Sequence, residues 1–288
     1  MSVELRQLRA LVAVVDSGTF TDAAIELGVS QASVSRAVAA LEDALGARVL
    51  RRTTRTVAPT GTGSAVVRHA RRVLAEVDAL TRAVTDSGSS LRVGYQWSAL
   101  GRRTADVQRR WAAAHPGGRL DLVPSDTPTA GLVEGRADVA VVRRTIDDDR
   151  FDSRLVGTEA RMAVISSDDP WARRRFVRLA DFDGRVVAVN SRTGTTDARL
   201  WPGDRAPVEL REIHGVERWL NSIAAGEAVG ITAEATAHQH PREGVLYKPV
   251  LDAEPIAVRL AWWHDDPPAG LDALLSLILE AYNAGRRT

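Results

Sequence analysis

Gln31, Ser33, Ser35 and Arg36 are the side chains best suited to chemistry with a partner. Glutamine pairs with adenine and arginine with guanine, while a small Ala32 or serine can sit against a thymine methyl. They act together only if they share one exposed surface. Their surroundings, FTDAAIELGVSQASVSRAVAALEDALG over residues 20–46, supply it. This stretch reads as two short helices at a steep angle, joined by a tight turn. The first is expected to start at Thr21, with Thr21 or Asp22 as its cap. Ala23 and Ala24 are small enough for a second helix to approach closely. Gly28 takes the left-handed conformation that ends a helix. Ser30 then restarts helix as an N-cap. Val34, Val38, Leu41 and Leu45 recur at steps of four, three and four, which predicts one buried stripe. Gln31, Ala32, Ser33, Ser35 and Arg36 fall mostly off that stripe. They lie on the turns that a helix-turn-helix places in the DNA major groove. Any two-helix corner of an all-α core carries a similar signature, so the flanking sequence must decide.

Both flanks agree with DNA binding. Leu5, Leu8, Leu11, Val12 and Val15 form a helical stripe able to pack on the two-helix unit. After the motif, residues 49–52 and 55–58 read as two short strands around a Thr53-Thr54 turn, a β-wing. From Ala44 to Ala75 the chain has seven arginines and neither Asp nor Glu. An arginine run is ordinarily a solvated face. The lack of any acid nearby points instead to phosphate contact with release of counterions. Arg51, Arg52, Thr53, Thr54 and Arg55 are the wing residues expected to hold phosphate or the minor groove.

The pattern Ala23-Ala24-x-x-Leu27-x-Val29-Ser30-Gln31-x-x-Val34-Ser35, then Leu41-Glu42-x-x-Leu45-Gly46 and Arg52-Thr53, resembles the winged helix-turn-helix of LysR-type transcriptional regulators. Length and domain order are similar to that family over nearly the whole chain, although beyond the N-terminal motif the match is one of pattern. The resemblance implies sequence-specific binding to double-stranded DNA as a homodimer or homotetramer. It also implies control of transcription by a small-molecule effector, with RNA polymerase as a further partner. The implied architecture is α/β: an N-terminal all-α winged helix-turn-helix, a linker helix, and a two-lobed periplasmic-binding-protein-like effector domain. The chain departs from the family twice. Ala32 stands where proline is usual, leaving the start of the recognition helix less fixed. Leu50 stands where phenylalanine is usual.

Composition is consistent with this reading. The 288 residues suffice for one to three domains, each with a core. The formal net charge of +1 makes the basic stretch a local feature. With no cysteine there is no disulfide framework or thiolate chemistry. Lys248 is the only lysine. The apolar run at the N-terminus is broken by Glu4, Arg6, Arg9 and Asp16, so it reads as amphipathic helix, not as a signal sequence. No run of about 18 apolar residues suggests a membrane span, and a cytoplasmic location is expected.

The winged domain is read as residues 1–59. Residues 60–84 read as a linker helix capped by Thr60. Val66, Ala70, Val73, Val77, Leu80 and Val84 make an a/d seam across it, which favours a helix-to-helix dimer contact. Residues 85–90, polar and rich in Gly and Ser, read as a hinge. From Leu91 strands and helices alternate. Strands are expected at 91–95, 119–124, 137–142, 161–166, 185–189, 229–232 and 258–263. Helices are expected at 100–115, 128–135, 216–225 and 271–284. This order implies parallel sheet with helices on both faces. Lobe I is read as about 91–160 and 265–288, and lobe II as about 161–264; the late strand and last helix are candidates for the return.

Ligands of open α/β sheets sit at the carboxyl ends of strands. That rule selects Gln96, Trp97 and Ser98, then Ser125, Asp126, Thr127 and Thr129, then Arg143 and Arg144. In the second lobe it selects Asn190, Ser191, Arg192, Thr193, Gly194 and Thr195, together with Thr232. Each has a plainer role: Ser98, Thr127 and Thr129 as helix caps, the arginines as salt-bridge partners, Trp97 as filler of the cleft. As a set, hydroxyls, arginine and helix N-termini suit a carboxylate or another small anion. No cofactor or metal is expected. His238-x-His240 has no third ligand at sensible spacing and reads as an exposed loop. Neither a Gly-x-Ser-x-Gly elbow nor a nucleotide-binding glycine loop occurs. An enzyme is not expected, and a ligand sensor that does not bind DNA is disfavoured by the basic wing.

Overall fold

The structure, a computed structural model, describes residues 2–52, 57–85, 90–201 and 206–284. They fall into two compact units, the first running to Thr85 and including Val133–Gly135, the second holding the rest.

The first unit runs α1 (Leu5–Ser17), α2 (Phe20–Leu27), α3 (Gln31–Leu45), β1 (Leu50–Arg52), β2 (Val57–Pro59) and α4 (Gly61–Thr85). The cap of α2 is Thr19, not Thr21 or Asp22. Its hydroxyl oxygen accepts from the Asp22 amide at 3.0 Å and donates to the Asp22 carboxylate at 2.7 Å. An acid at the third helical position makes Thr19 the better cap, so the helix begins one residue early. Gly28 closes α2 with φ +64°. Ser30 then opens α3, accepting from the Ser33 amide at 3.2 Å. Leu11, Val14, Ala23, Val34, Val38 and Leu41 form the buried centre. Leu45 does not join them and is 40% exposed, because the chain leaves the core at Gly46.

β1 and β2 pair antiparallel, with Arg51 opposite Ala58. The second strand is described over Val57–Pro59. Thr53, Thr54 and Arg55 lie outside the described residues. Thr60 caps α4, accepting from the Gly63 amide at 2.8 Å. Gly63 is required there, since a Cβ would stand 1.8 Å from the Val49 carbonyl oxygen. The expected seam of α4 divides. Ala70 is buried in the unit's own core with Val67, while Val73 (44%) and Leu80 (69%) are exposed. The side chain of Val84 and most of the expected hinge lie outside the described residues.

The second unit contains β3 (Leu91–Tyr95), α5 (Thr104–Ala114), β4 (Leu120–Pro124), β5 (Val139–Val142), β6 (Phe151–Glu159), β7 (Arg161–Ser166), β8 (Val186–Val189), β9 (Glu209–Glu212), α6 (Val216–Ala224), β10 (Val229–Ala233), α7 (Glu234–Gln239), β11 (Val245–Pro249), β12 (Ile256–Trp263) and α8 (Leu271–Ala284). They build two five-stranded sheets, in the orders β4-β3-β5-β12-β6 and β11-β7-β10-β8-β9. Both sheets are mixed. β3 is parallel to β4 and β5, and β8 to β9 and β10, but β12 and β7 run antiparallel to their neighbours.

β12 belongs to the first lobe, as expected of the late strand, so the lobe boundary falls before Ile256 and not at residue 265. Val258 and Leu260 are fully buried in that lobe's core with Trp111, Leu274 and Ile278, and this packing places the strand. Residues 128–135 form turns, not a helix. Ala130 and Gly131 both have positive φ, +50° and +94°, and two successive left-handed residues cannot sit in an α-helix.

Candidate functional site

In the first unit, the caps at Thr19 and Ser30 and the Gly28 turn fix where α3 begins. Its buried face then dictates what remains outside. Gln31, Ala32 and Arg36 are exposed, and Ser33 and Ser35 half-buried. The Ser30 and Ser33 hydroxyls lie 2.8 Å apart, and Arg36 Nη2 reaches Ser33 Oγ at 3.5 Å. The result is a loosely held ridge of donors along one helix face. Arg51 is exposed on β1; of Arg52 only the backbone is described. A groove of about 510 Å³ runs beside this face, between α1 and α3. It brings Arg6 and Arg9 of α1 to the same side as Arg36.

Behind the face sits an acid. Glu42, near the end of α3, is buried, and its Oε1 accepts from the amides of Val49 (2.8 Å) and Leu50 (3.2 Å). Its Oε2 accepts from Arg48 Nη1 at 3.0 Å. Val49 in turn accepts from the Thr60 amide at 3.0 Å. Recognition helix, wing and α4 therefore meet at one peptide.

In the second unit a cleft lies between the lobes, lined by Gln96, Trp97 and Arg143 from the first and by Asn190, Thr193, Thr195, Thr196, Trp219 and Thr232 among others from the second. Its free space is about 30 Å³, room for ordered water but not for a ring. The Trp97 indole fills it, edge-on to Trp219 with ring centroids 4.9 Å apart. Trp97 Nε1 donates to Thr193 Oγ1 at 3.0 Å, and that hydroxyl donates to Asp126 Oδ1 at 2.8 Å. This chain ties the lobes together.

The other expected ligand contacts are largely engaged elsewhere. Arg143 donates to both oxygens of Glu159 at 3.0 Å and to the carbonyls of Ser98 (2.6 Å) and Ala99 (2.7 Å). Both members of the pair are nearly inaccessible. Burial pushes the Glu159 carboxyl up, but the Arg143 guanidinium and the Tyr282 hydroxyl outweigh it and hold it below the usual carboxylate range. Arg143 thus lines the cleft with its charge already matched by Glu159. Gln96 Nε2 donates to the carbonyls of Thr127 and Pro128, both at 3.1 Å. Ser125, Thr127 and Thr129 brace the 128–135 turn and do not line the cleft: Ser125 Oγ lies 3.2 Å from Thr127 Oγ1, which accepts from the Gly131 amide. Ser98 is buried against Thr236, and Thr232 Oγ1 donates to Thr236 Oγ1 at 2.9 Å. Arg192 points to solvent. Thr195 lines the cleft, and its carbonyl accepts from Arg161. His240 is no surface loop residue: it ends α7, and its Nε2 meets the Trp97 carbonyl at 2.7 Å. Among the described residues no group of three potential metal ligands forms, and no helix is long and apolar enough to cross a membrane.

Against known proteins, the family described as bacterial regulatory helix-turn-helix protein, lysR family, matches residues 5–64. The LysR substrate binding domain matches residues 84–283. The chain belongs to the LysR family. It is a DNA-binding transcriptional regulator with an effector-binding domain. The small neutral protease regulatory protein of Streptomyces lividans is 30% identical over 98% of this chain and 83% of its own. The regulator BenM of Acinetobacter baylyi is 28% identical over 88% of each. The crystal structure of CbnR, a LysR family transcriptional regulator, shares the fold with a TM-score of 0.70 at 21% identity, covering 98% of both chains.

For this LysR-type regulator, sequence reasoning left three residues unassigned. Arg6 and Arg9 appeared only as interruptions of an apolar run, though their spacing of three places them on one helix face. Glu42 belonged to the family pattern with no role attached. An acid amid Val38, Leu41 and Leu45 on the buried side was the available signal, since such a carboxylate must find donors.

Proposed function

We propose that two copies of this regulator read a pair of half-sites, each through the first turns of α3. Gln31, Ser33, Ser35 and Arg36 contact base edges, with Ser30 and Ala32 against the groove. Arg51, Arg52, Thr53, Thr54 and Arg55 take phosphate or the minor groove. The observation that carries this reading is the exposure of Gln31 and Arg36 on a helix whose opposite face is core. Exposed Val73 and Leu80 lie seven residues apart on α4 and supply a seam for a second copy. Pairing matters because one winged helix makes few contacts, whereas two linked ones multiply their affinities. A small molecule in the cleft of the second unit would alter lobe closure and hence half-site spacing or DNA bend. RNA polymerase is the partner through which occupancy becomes transcription.

Fluorescence anisotropy on duplex DNA from upstream of the regulator's own gene tests the reading. Binding is expected to be much tighter than to a scrambled duplex and to weaken steeply with salt as phosphate contacts release counterions. Equal affinity for both duplexes contradicts base reading. Leu80→Asp is expected to shift sedimentation toward monomer without lowering thermal stability.

A further inference from the structure

We infer that the cleft takes an uncharged planar ring carrying a carbonyl-type acceptor beside an N–H or O–H donor, in the space the Trp97 indole now fills. This rests on the proposal that the cleft is the effector site.

Asn190 points to the acceptor. It is 2% exposed and lines the cleft. Its Oδ1 accepts from the amides of Arg192 (3.0 Å) and Thr193 (3.3 Å), which settles the orientation of the side-chain amide. Nδ2 is therefore turned away from that turn. It is buried and meets no acceptor among the described residues. A buried N–H in this state favours any ligand that brings it an oxygen.

Trp97 shows what shape fits. With about 30 Å³ free, a ring enters only if a side chain leaves. Trp219 is locked, buried and donating through Nε1 to the Ala188 carbonyl at 2.8 Å. Trp97 is only half-buried, and its backbone is held independently through its carbonyl to His240. Rotation of its side chain therefore clears the cleft without moving the strand end. The vacated space has a flat apolar wall in Trp219. It also has Thr193 Oγ1, whose accepted hydrogen bond would need a new donor.

Charge decides against an acid. Among the described residues Arg143 is the one charged group in this lining, and Glu159 already neutralises it. The Asp126 carboxylate stands directly behind Thr193 and would repel an anion. The carboxylate expected from sequence counted on Arg143 being free.

Calorimetry on the full chain, with 2-quinolone (a lactam with adjacent N–H and C=O) and quinoline-2-carboxylate (the same ring as an anion), tests the inference. Trp97→Ala is expected to bind 2-quinolone about tenfold or more tightly than the parent, because no indole must be displaced. Trp97→Phe, which keeps a ring but no donor, should fall between them. Adding Asn190→Asp to Trp97→Ala keeps the two backbone bonds and removes the donor, so affinity should fall about tenfold. The anion should bind poorly throughout. Tighter binding of the anion, no lactam binding to Trp97→Ala, or weaker lactam binding after Trp97→Ala overturns the ligand class alone. Binding of either probe that is indifferent to all three substitutions places the ligand elsewhere and overturns the cleft reading as well.

Discussion

At the start of α3, Gln31 and Arg36 are exposed, and Arg36 makes a long hydrogen bond, 3.5 Å, to Ser33. In the second unit's cleft, Trp97, Thr193, Gln96, Thr232 and Arg143 are each bonded to protein, and among the described residues Asn190 Nδ2 is the buried side-chain atom left over. On the proposed assignments the difference follows from the partners. DNA is a large polyanion whose phosphates and base edges replace water directly, so a reader keeps its donors solvated and available. A small ligand must be enclosed, and an enclosing cleft satisfies its own polar groups when closed. Availability marks the first site and self-satisfaction the second.

That contrast can be broken at the second unit first. Glu159→Leu leaves Arg143 buried and unpaired, with an expected loss of about 3–5 kcal/mol in that unit. Urea unfolding followed by tryptophan fluorescence measures it, since all seven tryptophans follow Ser90. A loss under about 1 kcal/mol would mean that the pair is solvated and Arg143 free for a ligand. In the first unit, Glu42→Ala strips two buried amides of their acceptor and should cost about 2–4 kcal/mol. Circular dichroism melts read this, and Glu42→Gln, which keeps one acceptor, should recover part of it. A gentler probe is acid. Glu159 has a folded pKa below its unfolded one, so its contribution is present above about pH 4.3 and lost as pH falls through the folded value. Stability of the second unit should therefore decline below about pH 4.3, and less so in Glu159→Gln; an unchanged acid limb in that variant would contradict the pairing.

Much of this was legible in the sequence, and the omissions share one cause. The helix-turn-helix, α4, α6, α8 and the central strands β3, β5, β7, β8, β10 and β12 all carry apolar periodicity. The unforeseen strands β6, β9 and β11 are all sheet edges. FDSRLVGTE and ELRE are half-solvated and charged, as edges are, so they read as loops. One omission propagated: without β6, Glu159 at its end had no place, and Arg143 stood as a free cation. The 128–135 turn misread as helix and the Trp97–Thr193 contact, 96 residues apart in sequence, depend on tertiary packing that local pattern does not encode. By contrast, the place of Ser30, Gln31, Ala32, Ser33, Ser35 and Arg36 at the start of α3 was readable because capping and periodicity are local. The wing turn lies outside the described residues.

Arg36→Ala, measured by anisotropy on the cognate operator and on a scrambled duplex of equal length, bears most directly on the claim that the exposed start of α3 reads bases. The expected result is a loss of about 1–3 kcal/mol on the cognate duplex and little change on the scrambled one. An equal loss on both would make Arg36 a phosphate contact and contradict the account.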